Sequence, residues 1–165
     1  MGEKKNWYSP VRFGTLELFN GEKILTPGIV KHNKFVLDNV GYAFSFGNMY
    51  AIISRGEINI KVLLGILNSK LVEFYLHCVA PVKQGGYYSY GATVLDKIPL
   101  AYPEKETENK LLALVDYILS LKRLDPQTDT SSLEKDIDCI VYKLYGLTEE
   151  EIKIVEESQL KKIKN

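Results

Sequence analysis

The sequence predicts an α+β fold: a small mixed or antiparallel β core around a buried helix, followed by a C-terminal arm of about three helices. Three observations predict it. Before residue 54, short apolar runs are cut by turn residues. Between Asn59 and Val79, apolar residues recur at intervals of three and four. Beyond Pro103 the pattern is helical throughout.

The elements follow in order. Ile24-Leu25-Thr26 runs into Pro27-Gly28, a turn signal, and Phe35-Val36-Leu37 runs into Asp38-Asn39, another. Tyr42-Ala43-Phe44-Ser45-Phe46 and Met49-Tyr50-Ala51-Ile52-Ile53 flank Gly47-Asn48, which predicts a hairpin. The 59–79 segment carries Val62, Leu63, Ile66, Leu67, Leu71, Phe74 and Tyr75, with Leu64 and Val72 widening the stripe. So little of it is polar that one helix buried in the middle of the domain is expected. Pro81 ends it, and the stretch KQGGYYSY at residues 83–90 forms a glycine-tyrosine loop. Leu95 to Leu100 reads as a short helix end or strand. Leu111, Leu114, Val115, Ile118 and Leu121 make the first stripe of the arm, and Leu133, Ile137, Ile140, Val141 and Leu144 the second. Ser131 with Glu134 and Thr148 with Glu151 read as capping boxes, and Gly146 as a C′ cap. The last helix is expected to run through Val155, with the tail from Lys161 frayed. The division is thus 1–103 for the α+β core and 104–165 for the helical region, packed on the core or on a partner.

At 165 residues with 45% hydrophobic and 25% charged content, the chain can bury a core without staples. The longest apolar run, Val62 to Leu67, is too short for a bilayer, and MGEKKNW has no signal-peptide character, so a cytoplasmic location away from membranes is expected. Cys78 and Cys139 lie far apart in apolar helical segments. They read as two buried free thiols, with no zinc-ligand spacing and no metal site.

Tools for catalysis are missing. The sequence has no G-x-G-x-x-G, Walker A, G-x-S-x-G or H-E-x-x-H motif. His77 sits in the apolar helix and reads as a core residue. Glu149-Glu150-Glu151 suits a helix N-terminus. No catalytic residue is assigned, and the chain by itself is not expected to be an enzyme.

The net charge is zero, yet it is split. Residues 1–100 hold 11 lysines and arginines against 7 acidic residues, and residues 101–165 hold 10 against 14. Only the first part offers an anion a favourable field. Three loops there combine basic and planar groups: Trp7 to Phe13, with Arg12; Lys31-His32-Asn33-Lys34; and Lys83-Gln84-Gly85-Gly86-Tyr87-Tyr88 with Tyr90. Lysine and arginine neutralise phosphates, amides pair with base edges, and tyrosines offer hydroxyls or faces. Each residue also has a plainer reading. Arg12 and the 31–34 turn suit solvation as well as contact, Trp7 suits packing, and at least one of the three tyrosines should lie beneath the loop.

Taken in order, NWYSPVR, EKILTPGIVKHNKFVLDNVGYAFSFGNMYAII, LLGILNSKLVEFYLHCV, KQGGYYSYGATVLDKIPL and LEKDIDCIVYKLYGLTEEEIKIVE resemble the TaqI-like C-terminal specificity domain of type II restriction-modification methyltransferases, from about Trp7 to Glu156. The resemblance implies a DNA target-recognition domain, bound to double-stranded DNA and to an N-terminal methyltransferase domain of the same parent polypeptide. That other domain uses S-adenosylmethionine to methylate adenine at N6, and in some members an endonuclease is attached. The cofactor loop and the Asn-Pro-Pro-Tyr/Phe motif of that domain do not occur here, so the chain reads as a C-terminal fragment with no cofactor of its own. The family loop often has a basic residue directly before Gly-Gly. Here Gln84 stands there with Lys83 one place earlier, which weakens a simple phosphate clamp and leaves base readout by Gln84 open. Two alternatives remain: a specificity half-subunit of a type I restriction system, and a protein-interaction module without DNA binding.

Overall fold

The computed structural model describes residues 21–41, 49–54 and 56–163. Its architecture is α+β, as expected. Among the described residues, two three-stranded antiparallel sheets share one strand path. β1 (Lys23–Pro27) lies between β3 (Val36–Asp38) and β4 (Met49–Ile52). After a bend at Gly28, β2 (Ile29–Val30) enters the second sheet, where β6 (Tyr87–Ser89) is central and β5 (Val82–Lys83) is the far edge. The Gly28 carbonyl accepts from the Tyr90 N–H at 2.9 Å, which ties the bend to the end of β6. The first half of the expected 42–53 hairpin lies outside the described residues; its second half is β4, paired with β1.

The expected single helix over 59–79 is two. α1 (Ile60–Leu67) and α2 (Lys70–Val79) meet at a bend of 64°. Periodicity alone ran through the break, but two capping residues make it. The Asn68 amide accepts from the Phe35 N–H at 3.1 Å and donates to the Phe35 carbonyl at 2.9 Å, standing in for a strand partner. The Ser69 hydroxyl accepts from the Val72 N–H and so starts α2. No helix among the described residues is long and apolar enough by itself to cross a membrane.

α1 is buried along almost its whole surface. The first sheet covers one side. The arm covers another: α4 (Lys105–Leu124) contributes Leu111 and Val115, and α5 (Ser131–Leu144) contributes Ile137 and Val141, to the same apolar cluster. One continuous core therefore crosses residue 103. Between the sheets and the arm lies only α3 (Ala92–Leu95), so the helix expected near 95–100 ends where it was expected to begin. α6 (Glu149–Ile163) closes the fold and runs eight residues past its expected end.

Arm chemistry was mostly readable. Thr148 and Glu151 make the reciprocal capping box, with N–H contacts of 2.8 and 3.3 Å. Gly146 has φ +68°, and the bonds Gly146 N–H to Lys143 and Leu147 N–H to Tyr142 complete a Schellman motif. The other expected box does not form: Thr130 is the N-cap without a side-chain bond to the backbone, its hydroxyl donates to Glu134, and Ser131 turns to Asp129. Both cysteines are corrected as well. Cys78 and Cys139 are free but exposed, because each faces outward from a helix whose opposite side is apolar.

Two polar devices fix the packing. Lys23 and Asp38, opposite each other on β1 and β3, form an ion pair at 2.6 Å with side chains 0% and 4% exposed. Burial pushes the Asp38 carboxyl up. Lys23 and the N–H groups of Val40 and Gly41 outweigh it and hold the carboxyl below its usual range. The second device joins core to arm. Asp138 of α5 accepts from the backbone N–H of Lys70, the first residue of α2, at 2.8 Å. The Lys70 ammonium reaches Glu156 of α6 at 2.7 Å, and the Tyr142 hydroxyl donates to the same carboxylate at 2.8 Å. Burial pushes Asp138 up to about 6, against the pull of Lys70.

Two expectations follow. A Cβ at Gly65 would stand 2.8 Å from a Val115 methyl, and β-branched Val115 is stiff. Gly65→Ala should therefore lower stability by about 1–3 kcal/mol in urea unfolding. The folded state also holds the Asp138 proton more tightly than the unfolded chain does, so stability should rise by roughly 1 kcal/mol as pH falls from about 7 to about 5. Asp138→Asn should flatten that segment of the curve. Below the carboxylate range the sign reverses, because Asp38 and Glu156 are held low and lose their stabilising charge.

Candidate nucleic-acid interface

The second sheet carries most of the basic and aromatic loop residues. Its register pairs Ile29 with Ser89, Val30 with Tyr88, Val82 with Tyr88 and Lys83 with Tyr87. Continued by one residue, it sets Lys31 opposite Tyr87. Directly paired residues of antiparallel strands project to the same side. Lys31, Tyr87 and Lys83 thus form one cross-strand row on one face, and Val30 and Tyr88 belong to the other.

The two faces have different environments. On the outer one, the Lys31 ammonium lies 5.3 Å from the centroid of the Tyr87 ring, and Tyr87 remains 40% exposed. Such an exposed contact is worth about 0.5–1 kcal/mol, enough to bias the lysine without burying it. Lys83 is exposed beside it, and Ile29 adds apolar surface. On the inner face, Val30 is buried and Tyr88 stacks on His77 of α2, with centroids 3.8 Å apart and planes 13° from parallel.

Gln84, Gly85 and Gly86 turn β5 into β6, and all three are exposed. Gly85 and Gly86 have φ of +77° and +74°. Two successive left-handed residues are costly for any side chain, which is the physical reason for the double glycine.

The 31–34 segment is divided. Lys31, His32 and Lys34 are exposed, and the His32 Nδ1 lies 2.9 Å from Glu73 of α2. Asn33 points inward. Its amide donates to the Leu67 carbonyl at 2.8 Å and accepts from the Tyr90 hydroxyl at 2.6 Å. Tyr90 is 0% exposed. Burial, with the nearby Glu73 charge, raises its phenol far enough that it stays a donor.

Of the expected contact residues, Lys31, Lys83 and Tyr87 form the outer row, Lys34, Gln84, Gly85 and Gly86 are exposed in the adjoining loops, and His32, though exposed, turns to Glu73 of α2. Tyr88 and Tyr90 turn inward, as one tyrosine at least was expected to, and Asn33 joins the buried bracing. Arg12 and Trp7 lie outside the described residues. Glu73 and His77 were not read as parts of this region. Their i,i+4 spacing on an apolar helix was the available signal, but only the fold brings them under the sheet.

A cavity of about 650 Å³ opens behind the 31–34 loop, between residues 32–37, α1, the start of α2 and the arm, with His32, Asn33 and Glu73 in its wall. Leu64, Val115, Ile118 and Ile137 give it an apolar lining, and its charged groups mix Lys70 and Lys135 with Glu73, Glu134 and Asp138. That chemistry does not suit a polyanion. Among the described residues no group of three or more His, Cys, Asp or Glu is arranged to hold a metal ion.

Comparison with known proteins bears on the same half of the chain. The sequence profile of the TaqI-like C-terminal specificity domain matches residues 2–100, both sheets and the glycine-tyrosine turn included. It stops before the arm, short of the resemblance read to Glu156. The chain is also 28% identical over 158 residues to the type II methyltransferase M.BstVI of Geobacillus stearothermophilus, a match that extends into the arm. It spans 94% of this chain but 26% of that protein, so the chain corresponds to about a quarter of the relative's length. With more than half of its residues matched by the profile, the chain belongs to the TaqI-like C-terminal specificity domain family.

Proposed function

We propose that this chain is the DNA target-recognition part of a type II restriction-modification methyltransferase that modifies adenine at N6. The observation that carries the reading is the row Lys31–Tyr87–Lys83, in which the Lys31 ammonium lies over an exposed aromatic ring and a second exposed lysine is paired opposite that ring on the next strand. Lys31 and Lys83 neutralise phosphates of the duplex, and Tyr87 packs or hydrogen-bonds between them. Gln84, at the tip of a turn held open by two glycines, reaches a base edge with its amide. Asn33 and Tyr90 make no contact with DNA; their mutual hydrogen bond fixes the loop that carries Lys31 and Lys34.

The catalytic steps belong to another domain. S-adenosylmethionine supplies the methyl group there, and the adenine is flipped from the stack into that domain's pocket. The cofactor loop and the Asn-Pro-Pro-Tyr/Phe motif of that domain do not occur in this sequence, so no residue of this chain is assigned to the cofactor. The acidic arm packs against the core and away from the phosphates. The type II assignment of M.BstVI favours this branch over a type I half-subunit.

Binding of the chain to a duplex should fall steeply with salt. Each phosphate contact contributes a slope of about −0.9 in log K against log salt, so the Lys31→Ala, Lys83→Ala double variant should lose roughly two contacts' worth. Both side chains are exposed and only the Lys31–Tyr87 contact is lost, so stability should stay within about 1 kcal/mol of wild type. Wild-type affinity that ignores ionic strength would sink the reading.

A further inference from the structure

Both histidines of the chain converge on one carboxylate oxygen. Glu73 Oε1 lies 2.9 Å from His32 Nδ1 and 3.8 Å from His77 Nε2. The environments differ sharply: the His32 side chain is 59% exposed, while Glu73 and His77 are 12% and 4% exposed. His32 belongs to the loop after β2 that carries Lys31 and Lys34. His77 stacks on Tyr88, whose strand β6 hydrogen-bonds to β2 on one side and β5 on the other. Glu73 therefore touches one basic loop directly and reaches the centre of the sheet through one imidazole.

We infer that Glu73 is a positioning residue of the recognition face, holding the 31–34 loop in register with the Lys83–Tyr87 turn. This inference rests on the DNA-recognition reading of that face. Its physical basis is pre-organisation. A loop that carries two exposed lysines has conformational entropy to lose when it meets phosphates, and a fixed hydrogen bond through His32 removes part of that loss beforehand. Placing a carboxylate close behind a phosphate-binding face otherwise opposes function, because its charge repels the polyanion. The two effects have opposite signs, and this makes the inference testable.

Glu73→Ala removes the charge and the acceptor together. On charge alone it should tighten binding; with a positioning role it should weaken it. Glu73→Gln removes the charge but keeps an oxygen that accepts from the His32 N–H. The full chain and a fluorescein-labelled duplex of mixed sequence at low salt serve for the measurement, with melting transitions recorded for every variant. Glu73→Ala should bind about tenfold more weakly, a loss on the scale of one charge-assisted hydrogen bond, with a salt slope lower by about one contact. Glu73→Gln should bind at least as well as wild type with the slope unchanged. If Glu73→Ala melts before the measurement, Glu73→Met, which keeps the stem and removes only the polar end, carries the same expectation. The Lys31→Ala, Lys83→Ala variant serves as the reference. If it binds like wild type, the recognition face itself is misassigned. If it is weakened while Glu73→Ala and Glu73→Met bind as well as wild type or better, the face stands and the role of Glu73 is overturned. Glu73→Gln binding as weakly as Glu73→Ala would overturn it too, since the retained acceptor then brings no rescue.

Discussion

α1 is apolar on nearly every side, and such a helix is stable in water only when enclosed. Each fully buried Leu, Ile or Val contributes about 1.5–3 kcal/mol, so leaving one flank open would forfeit several such terms. The first sheet encloses one flank and the arm encloses another. This constraint explains why 104–165 is not an appendage in structural terms. Leu111, Val115, Ile137 and Val141 complete the same core that Ile24 and Phe35 begin. It also explains Gly65, where α4 approaches too closely for any side chain.

Buried polar groups act at the joints of this packing. Lys23 and Asp38 pair inside the first sheet, a position where losing one partner costs about 3–5 kcal/mol while the pair itself adds little net stability. A device of that kind discriminates against wrong registers more than it holds the fold together. Asp138 does related work at the arm. Its carboxylate meets the N-terminal N–H of α2 and so completes a helix end with a charge from another element. Asn68 completes the strand-like edge at Phe35 in the same manner.

The second sheet gains its two characters from this framework. Its inner face is fixed by the His77–Tyr88 stack and the Tyr90–Asn33 bond, both anchored in or beside the buried helices. Its outer face is left with lysines, an exposed tyrosine and a glycine turn. A braced inner face and a basic outer one suit the recognition role proposed for this surface.

Most element types, the turns at Pro27-Gly28 and Asp38-Asn39, the second capping box and the Gly146 cap were determined by the sequence, because each depends on neighbours within a few residues; the expected 83–90 loop is instead a hairpin of β5 and β6, because its strands form only by pairing with β2 and with each other. The basic and aromatic character of the loops was equally plain, and with it the family resemblance. Local patterns were silent on what depends on distant partners. Periodicity continued across Asn68 and Ser69 because both helices are apolar; only the pairing of Asn68 with Phe35 reveals the break. Cys78 and Cys139 looked buried because each lies in an apolar helical segment. Whether Tyr87 or Tyr90 faces outward is settled by strand register, which places Lys31 and Tyr87 side by side and encloses Tyr90 against Asn33. Glu73 joined the face for the same reason: 41 residues separate it from His32 along the chain, and packing of α2 under the second sheet brings them to 2.9 Å.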